Sequence, residues 1–223
     1  MNTTHFRSIL MTAFAIMAAL AIAGCASSGS KGYKHADKTG KGLAEFRDEV
    51  IKAQTAINDT MKALDQVAAT ANTNPRKAFD QYAKQVDALE SAASRLSKRS
   101  QDMQAAGDAY FKQWETQMAE VQNPEIRKLA AERKAALQAA FANIRTFTTP
   151  LKAQFTPWMS DLKDLRNFLG NDLTIAGVEA VKKQFVKAQQ EGTSVQEAMD
   201  ALVAELNSVA AALTPAKVDP EKK

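Results

Sequence analysis

From residue 43 to residue 213 the apolar residues recur at alternating spacings of three and four. That period belongs to a helix with one buried stripe, and no strand can present such a pattern on a single face. The first seam runs Leu43, Phe46, Val50, Ala53, Ile57, Thr60, Leu64, Val67, Ala71. "NTNPRK" ends it, with Asn74 placed to cap a new helix and Pro75 to occupy its first position. The second seam holds the same spacing from Phe79 through Tyr82, Leu89, Ser100, Gly107 and Trp114 to Val121. Asn123 and Pro124 repeat the Asn-Pro device. A third seam follows from Ile126 to Leu169, and Pro150 and Pro157 within it each remove a backbone donor and should bend the helix. "LGNDLT" is the next break, with Gly170 as the expected carboxyl-terminal cap. The last seam runs from Val178 to Leu213 in unbroken phase, so one helix is expected there, weakest at Gly192.

Helices that each carry one apolar stripe and are joined by short breaks must fold back on one another. The chain has 9 Gly, 6 Pro and 7% aromatic residues in 223, which also favours long helices over a sheet-rich fold. The expected architecture is all-α: an elongated antiparallel bundle of about four long helices over residues 43–213, with coiled-coil packing. A polar tail, 214–223, ends the chain.

Residues 1–24 carry a charged start with Arg7 and an apolar run from Ile9 to Ala23, shorter than the ~20 residues a membrane-spanning helix needs. This is the layout of a secretory signal peptide. The residues before the single cysteine, Ile22, Ala23 and Gly24, with Cys25 itself, resemble a bacterial lipobox. In that signal the thiol is lipidated and the chain is cut before it. Such a fate accounts for an odd thiol in an exported protein. Two or three acyl chains anchor stably where one does not. By resemblance to sorted lipoproteins, Ala26 in place of Asp directs the protein to the outer membrane. Residues 25–42, rich in Gly, Ser and Lys, read as the lipidated cysteine and a flexible tether.

"YFKQWETQM" (Tyr110 to Met118), the Arg/Lys/Leu stretch after it, and "FLGNDLT" resemble an uncharacterised family of Gram-negative lipoproteins, catalogued as a domain of unknown function. The likeness covers the chain from about residue 33 onward. It implies a coiled-coil-rich periplasmic protein and supplies no catalytic or binding residues.

The remaining chemistry is defined by what the helices lack. His5 lies in the signal segment and His35 in the expected tether, leaving residues 43–213 without histidine or thiol. Cys/His metal sites and His-dependent nucleophilic catalysis therefore have no residues to use. No metal, no cofactor and no enzymatic activity are expected. Net charge of +4 is too mild for a nucleic-acid binder. Two carboxylate pairs share helix faces, Glu45 with Glu49 and Asp161 with Asp164, and read as salt-bridged surface. Phe111, Trp114, Phe155 and Trp158 are the candidate ligand or partner surface, although all but Phe111 occupy seam positions, where core packing is the favoured reading, and Phe111 off the seam is a partner contact or a second packing face. Ser100 and Gly107, small residues on the second seam, signal either close helix approach or a gap.

The function expected from these readings is a non-enzymatic scaffold, spacer or interaction module, lipid-anchored on the periplasmic face of the outer membrane. Its partners would be the membrane, an envelope protein and a second copy of the chain. The alternative is a helical carrier of lipid or hydrophobic small molecules.

Overall fold

The computed structural model describes residues 28–213, and the seams resolve into five helices with no strand among those residues. They are α1 (Ser28–Ala69), α2 (Pro75–Met118), α3 (Pro124–Asn171), α4 (Ile175–Ala180) and α5 (Lys182–Leu213). The lipobox residues Ile22, Ala23, Gly24 and Cys25, the sorting residue Ala26 and the tail 214–223 lie outside the described residues.

The fifth helix arises at Val181, not at Gly192. Val181 leaves helical geometry, its N–H turning back to the Val178 carbonyl, and α5 restarts as Phe185 N–H donates to the Val181 carbonyl. The interruption is one residue wide and keeps Val178, Val181 and Phe185 buried on one stripe. Hydrophobic phase is therefore blind to it. Gly170 is a second correction: α3 runs through it to Asn171, Asp172 takes the cap, and no described glycine has positive φ. At the helix starts, Asn123 Oδ1 accepts from Glu125 N–H and Ile126 N–H at 2.9 and 3.2 Å. Asn74 stands at the corresponding position without a side-chain cap.

The expected tether is also helical from Ser28 onward. The reason lies in two residues that hydropathy overlooks. Ala36 and Thr39 extend the first seam at the same three-four spacing. Thr39 is 1% exposed, and its hydroxyl donates to the His35 carbonyl on its own helix and the Ala106 carbonyl of α2. Thr60, three heptads further along, does the same toward Ala56 and Gln85. A buried hydroxyl costs little once its hydrogen bond is made, so a polar residue can continue an apolar seam.

Cross-helix bonds set the neighbours and their directions. Along α1 and α2, Thr39 meets Ala106, Glu49 meets Arg95 and Thr60 meets Gln85, so residue numbers rise on one helix as they fall on the other. The same opposition joins α1 to α5 (Arg47 with Asn207, Gln54 with Asp200), α3 to α5 (Arg133 with Ala212, Trp158 with Ala188) and α2 to α3 (Tyr82 with Leu162, Lys134 with Glu115). The five helices thus pack against one another around one core, with opposed directions at each of these contacts. In the α1–α2 seam, burial raises the proton affinity of Glu49, but the Lys52 ammonium and Arg95 guanidinium beside it hold its carboxyl below the ordinary range.

Two buried polar aromatics tie α3 to its neighbours. Trp158, fully buried, donates Nε1–H to the Ala188 carbonyl at 2.7 Å, and Tyr82, also fully buried, donates its hydroxyl to the Leu162 carbonyl at 2.7 Å. Burial pushes the Tyr82 phenol far above its ordinary value, the nearby Arg166 opposing only in part. In the unfolded chain that phenol ionises near pH ~10. The native state therefore holds the extra proton above that pH, and stability should fall as pH rises past it. Denaturant titrations across the alkaline range should show a steeper loss for the parent than for Tyr82→Phe; parallel curves would sink this assignment.

Candidate functional site

The second seam opens part-way along α2. Tyr82, Val86 and Leu89 are buried, Ala93, Leu96 and Ser100 are only half-buried, and burial resumes at Met103. A cavity of about 450 Å³ lies there, reaching from the α2–α3 seam to the core faces of α1 and α5. Its floor is apolar: Phe46 of α1, Leu89 and Leu96 of α2, Leu151 and Phe155 of α3, and Met199 of α5. Its rim is polar, with Ser97, Ser100, Gln101 and Gln104 on α2 facing Thr148 and Lys152 on α3. That volume and lining fall within the range of small-molecule sites, ~300–1,000 Å³ with a few convergent polar groups.

Ser100 and Gly107 carry the same sequence signal and have opposite outcomes. At Gly107 the Phe141 ring from α3 fills the space, and an added Cβ would stand 2.8 Å from its Cε1. At Ser100 no large side chain arrives, and the gap remains as part of the cavity. Pro150 and Pro157 flank the α3 wall inside a continuous helix. Each withholds one N–H from the ladder. Beside them the Thr148 and Thr156 hydroxyls donate to the Arg145 and Lys152 carbonyls.

The four expected aromatics do not make one surface. Phe155 lines the cavity floor and contacts Trp158 edge-on at 5.8 Å, while Trp158 itself is wholly core. Phe111 and Trp114 sit nearer the far end of α2. There Phe111 meets Phe141 edge-on at 5.5 Å and Trp114 meets Tyr110 at 5.7 Å. Trp114 lines a smaller pocket of about 240 Å³ with Tyr110 and His35, the latter on α1 rather than in a tether. The buried Trp114 Nε1 finds no hydrogen-bond partner there. Burial raises the Tyr110 phenol as it does Tyr82.

Three of the four paired carboxylates are in ion pairs, Glu45 with Arg99 at 2.8 Å, Glu49 with Arg95, and Asp161 with Lys187 at 2.5 Å. No described group of three or more His, Cys, Asp or Glu residues is placed to hold a metal ion. No described helix is long and apolar enough to cross a membrane. Sequence reasoning missed Lys152, Thr148, Ser97, Gln101 and Gln104. The available signal was Ser100 on an otherwise apolar stripe, with Ser97 one turn before it.

Fold and site together define an all-α helical bundle with an apolar, polar-rimmed cavity between its helices. Residues 29–213 match the family described as protein of unknown function (DUF2959), and the chain belongs to it. No curated protein and no solved structure matches the chain.

Proposed function

We propose that this protein binds a hydrophobic small molecule or lipid in the cavity between α2 and α3. The observation that carries the reading is the opening of the second seam over Ala93, Leu96 and Ser100, which leaves an apolar floor beneath a hydroxyl and amide rim while the seam on either side is filled. A core normally closes such a gap, because an unfilled apolar cavity is destabilising. The lipobox-like residues 22–25 support attachment through a lipidated Cys25, with Ala26 favouring the periplasmic face of the outer membrane. A second reading, a non-enzymatic spacer or interaction module of the envelope, is favoured by helices of 42, 44 and 48 residues, each about 60–70 Å long. Four-stranded coiled-coil packing belongs with that reading, as do envelope-protein partners and self-association.

The test is retention. The full chain, purified from membranes in mild detergent, should carry an apolar ligand detectable by mass spectrometry, and Ser100→Leu, which fills the cavity, should release it. Equal ligand content in parent and variant would refute the site. In the same cells Cys25→Ser should abolish incorporation of an alkyne-tagged fatty acid and shift the protein out of the membrane fraction.

A further inference from the structure

Ion pairs run along the seam between α2 and α3, and they stop at the cavity. Lys134 pairs with Glu115 near one end, while Lys163 pairs with Glu90 and Arg166 with Asp87 toward the other. At the level between, α3 presents another cation, Lys152, on the cavity rim. Opposite it α2 offers only Ser97, Ser100, Gln101 and Gln104, which are neutral. Lys152 has no ion-pair partner among the described residues. Nor does Arg145, seven residues earlier on the same stripe of α3. The seam thus lacks a carboxylate at the one level where the apolar space opens.

We infer that the ligand is a single-chain amphiphile with an anionic head group. Its alkyl chain lies over Leu89, Leu96, Leu151 and Phe155, and its head meets the Lys152 ammonium, with the Ser100 hydroxyl and the Gln101 and Gln104 amides as further donors. The charge complement is the one α2 supplies elsewhere by Glu115, Glu90 and Asp87. Lys152 is exposed, while Ser100 and Gln104 beside it are half-buried, and a charge-assisted hydrogen bond to this rim is stronger than a neutral one. Long-chain carboxylates and anionic lysophospholipids share this chemistry. The inference rests on the binding reading proposed above and adds the class of ligand.

The experiment uses the full chain in zwitterionic lipid nanodiscs, photo-labelled with a diazirine-bearing hexadecanoate or with the matching hexadecanol. Labelled peptides are then mapped by mass spectrometry. The acid should label α2 around Leu89–Gln104 and α3 around Thr148–Thr156, well above the alcohol. Lys152→Gln should lower acid labelling about two- to fivefold, as expected for loss of an exposed ion pair, without changing alcohol labelling. Competition by unlabelled hexadecanoate or by an anionic lysophospholipid distinguishes the two sources, and either result supports the proposal. Equal labelling by acid and alcohol, or acid labelling indifferent to Lys152→Gln, overturns the anionic head group and leaves the apolar site standing. Absence of label from both peptides overturns the binding reading as well.

Discussion

Replacing Trp158 with alanine should lower the midpoint of thermal unfolding by roughly 6–20 °C. Trp158 is the largest fully buried side chain of the described bundle, and it joins α3 to α5 through its bond to the Ala188 carbonyl. Truncating a buried aromatic to alanine costs about 3–5 kcal/mol, from lost transfer energy and the cavity left behind. In a domain of this size each kcal/mol moves the midpoint by about 2–4 °C. Trp158→Phe keeps a ring but loses the N–H donor, and should fall between parent and alanine. Circular dichroism melts of the three proteins provide the check, with Leu129→Ala, at a residue 64% exposed, as the neutral control. A Trp158→Ala midpoint no lower than that of the control would mean that the indole is not packed as described.

Gly192→Leu should destabilise the bundle by about 3 kcal/mol, at the upper end of ordinary overpacking. A Cβ at Gly192 would stand 2.9 Å from Trp158 Cζ2 and would also collide with the Met61 sulfur. Met61 can swing away because its thioether end is flexible, whereas the indole is enclosed and hydrogen-bonded. Gly192→Ala sets two effects of opposite sign against each other. Helix propensity favours alanine by about 1 kcal/mol, and the clash costs about 1–3 kcal/mol. In the parent the clash should win and Gly192→Ala should be mildly destabilising. In a Trp158→Phe background the phenyl ring does not reach the Cζ2 position, so the same change should become stabilising. A double-mutant cycle by denaturant unfolding reads this reversal directly. The same sign in both backgrounds would show that Gly192 does not seat Trp158.

These two residues also mark where reading the chain stops being sufficient. Gly192 looked like a weak point in a helix, because glycine is a poor helix former in any local account. Its reason is a side chain thirty-four positions earlier on another helix, which no local pattern announces. Thr39 shows the reverse error. A polar residue in a Gly- and Lys-rich stretch reads as tether, yet it is buried once the Ala106 carbonyl is there to accept its hydroxyl. Ser100 and Gly107 are the sharpest pair. Both are small residues on one seam, and the difference between a filled notch and an open cavity comes entirely from whether α3 delivers Phe141 or leaves a space.

By itself the sequence determined that residues 43–213 are mostly helical, that most seam positions face inward (Ile126, at the start of the third seam, is 51% exposed), and that the Asn-Pro breaks separate the first three long helices. Those follow from hydrophobic period and backbone chemistry, which are properties of neighbouring residues. Only the tertiary structure decided that the first helix reaches back to Ser28, that Val181 divides the last, that Phe155 opens onto a cavity, and that Lys152 overlooks this apolar cavity with no carboxylate facing it. Those depend on the register between helices distant in sequence. Register sets which side chain arrives opposite which gap, and a stripe repeated this regularly carries no record of it.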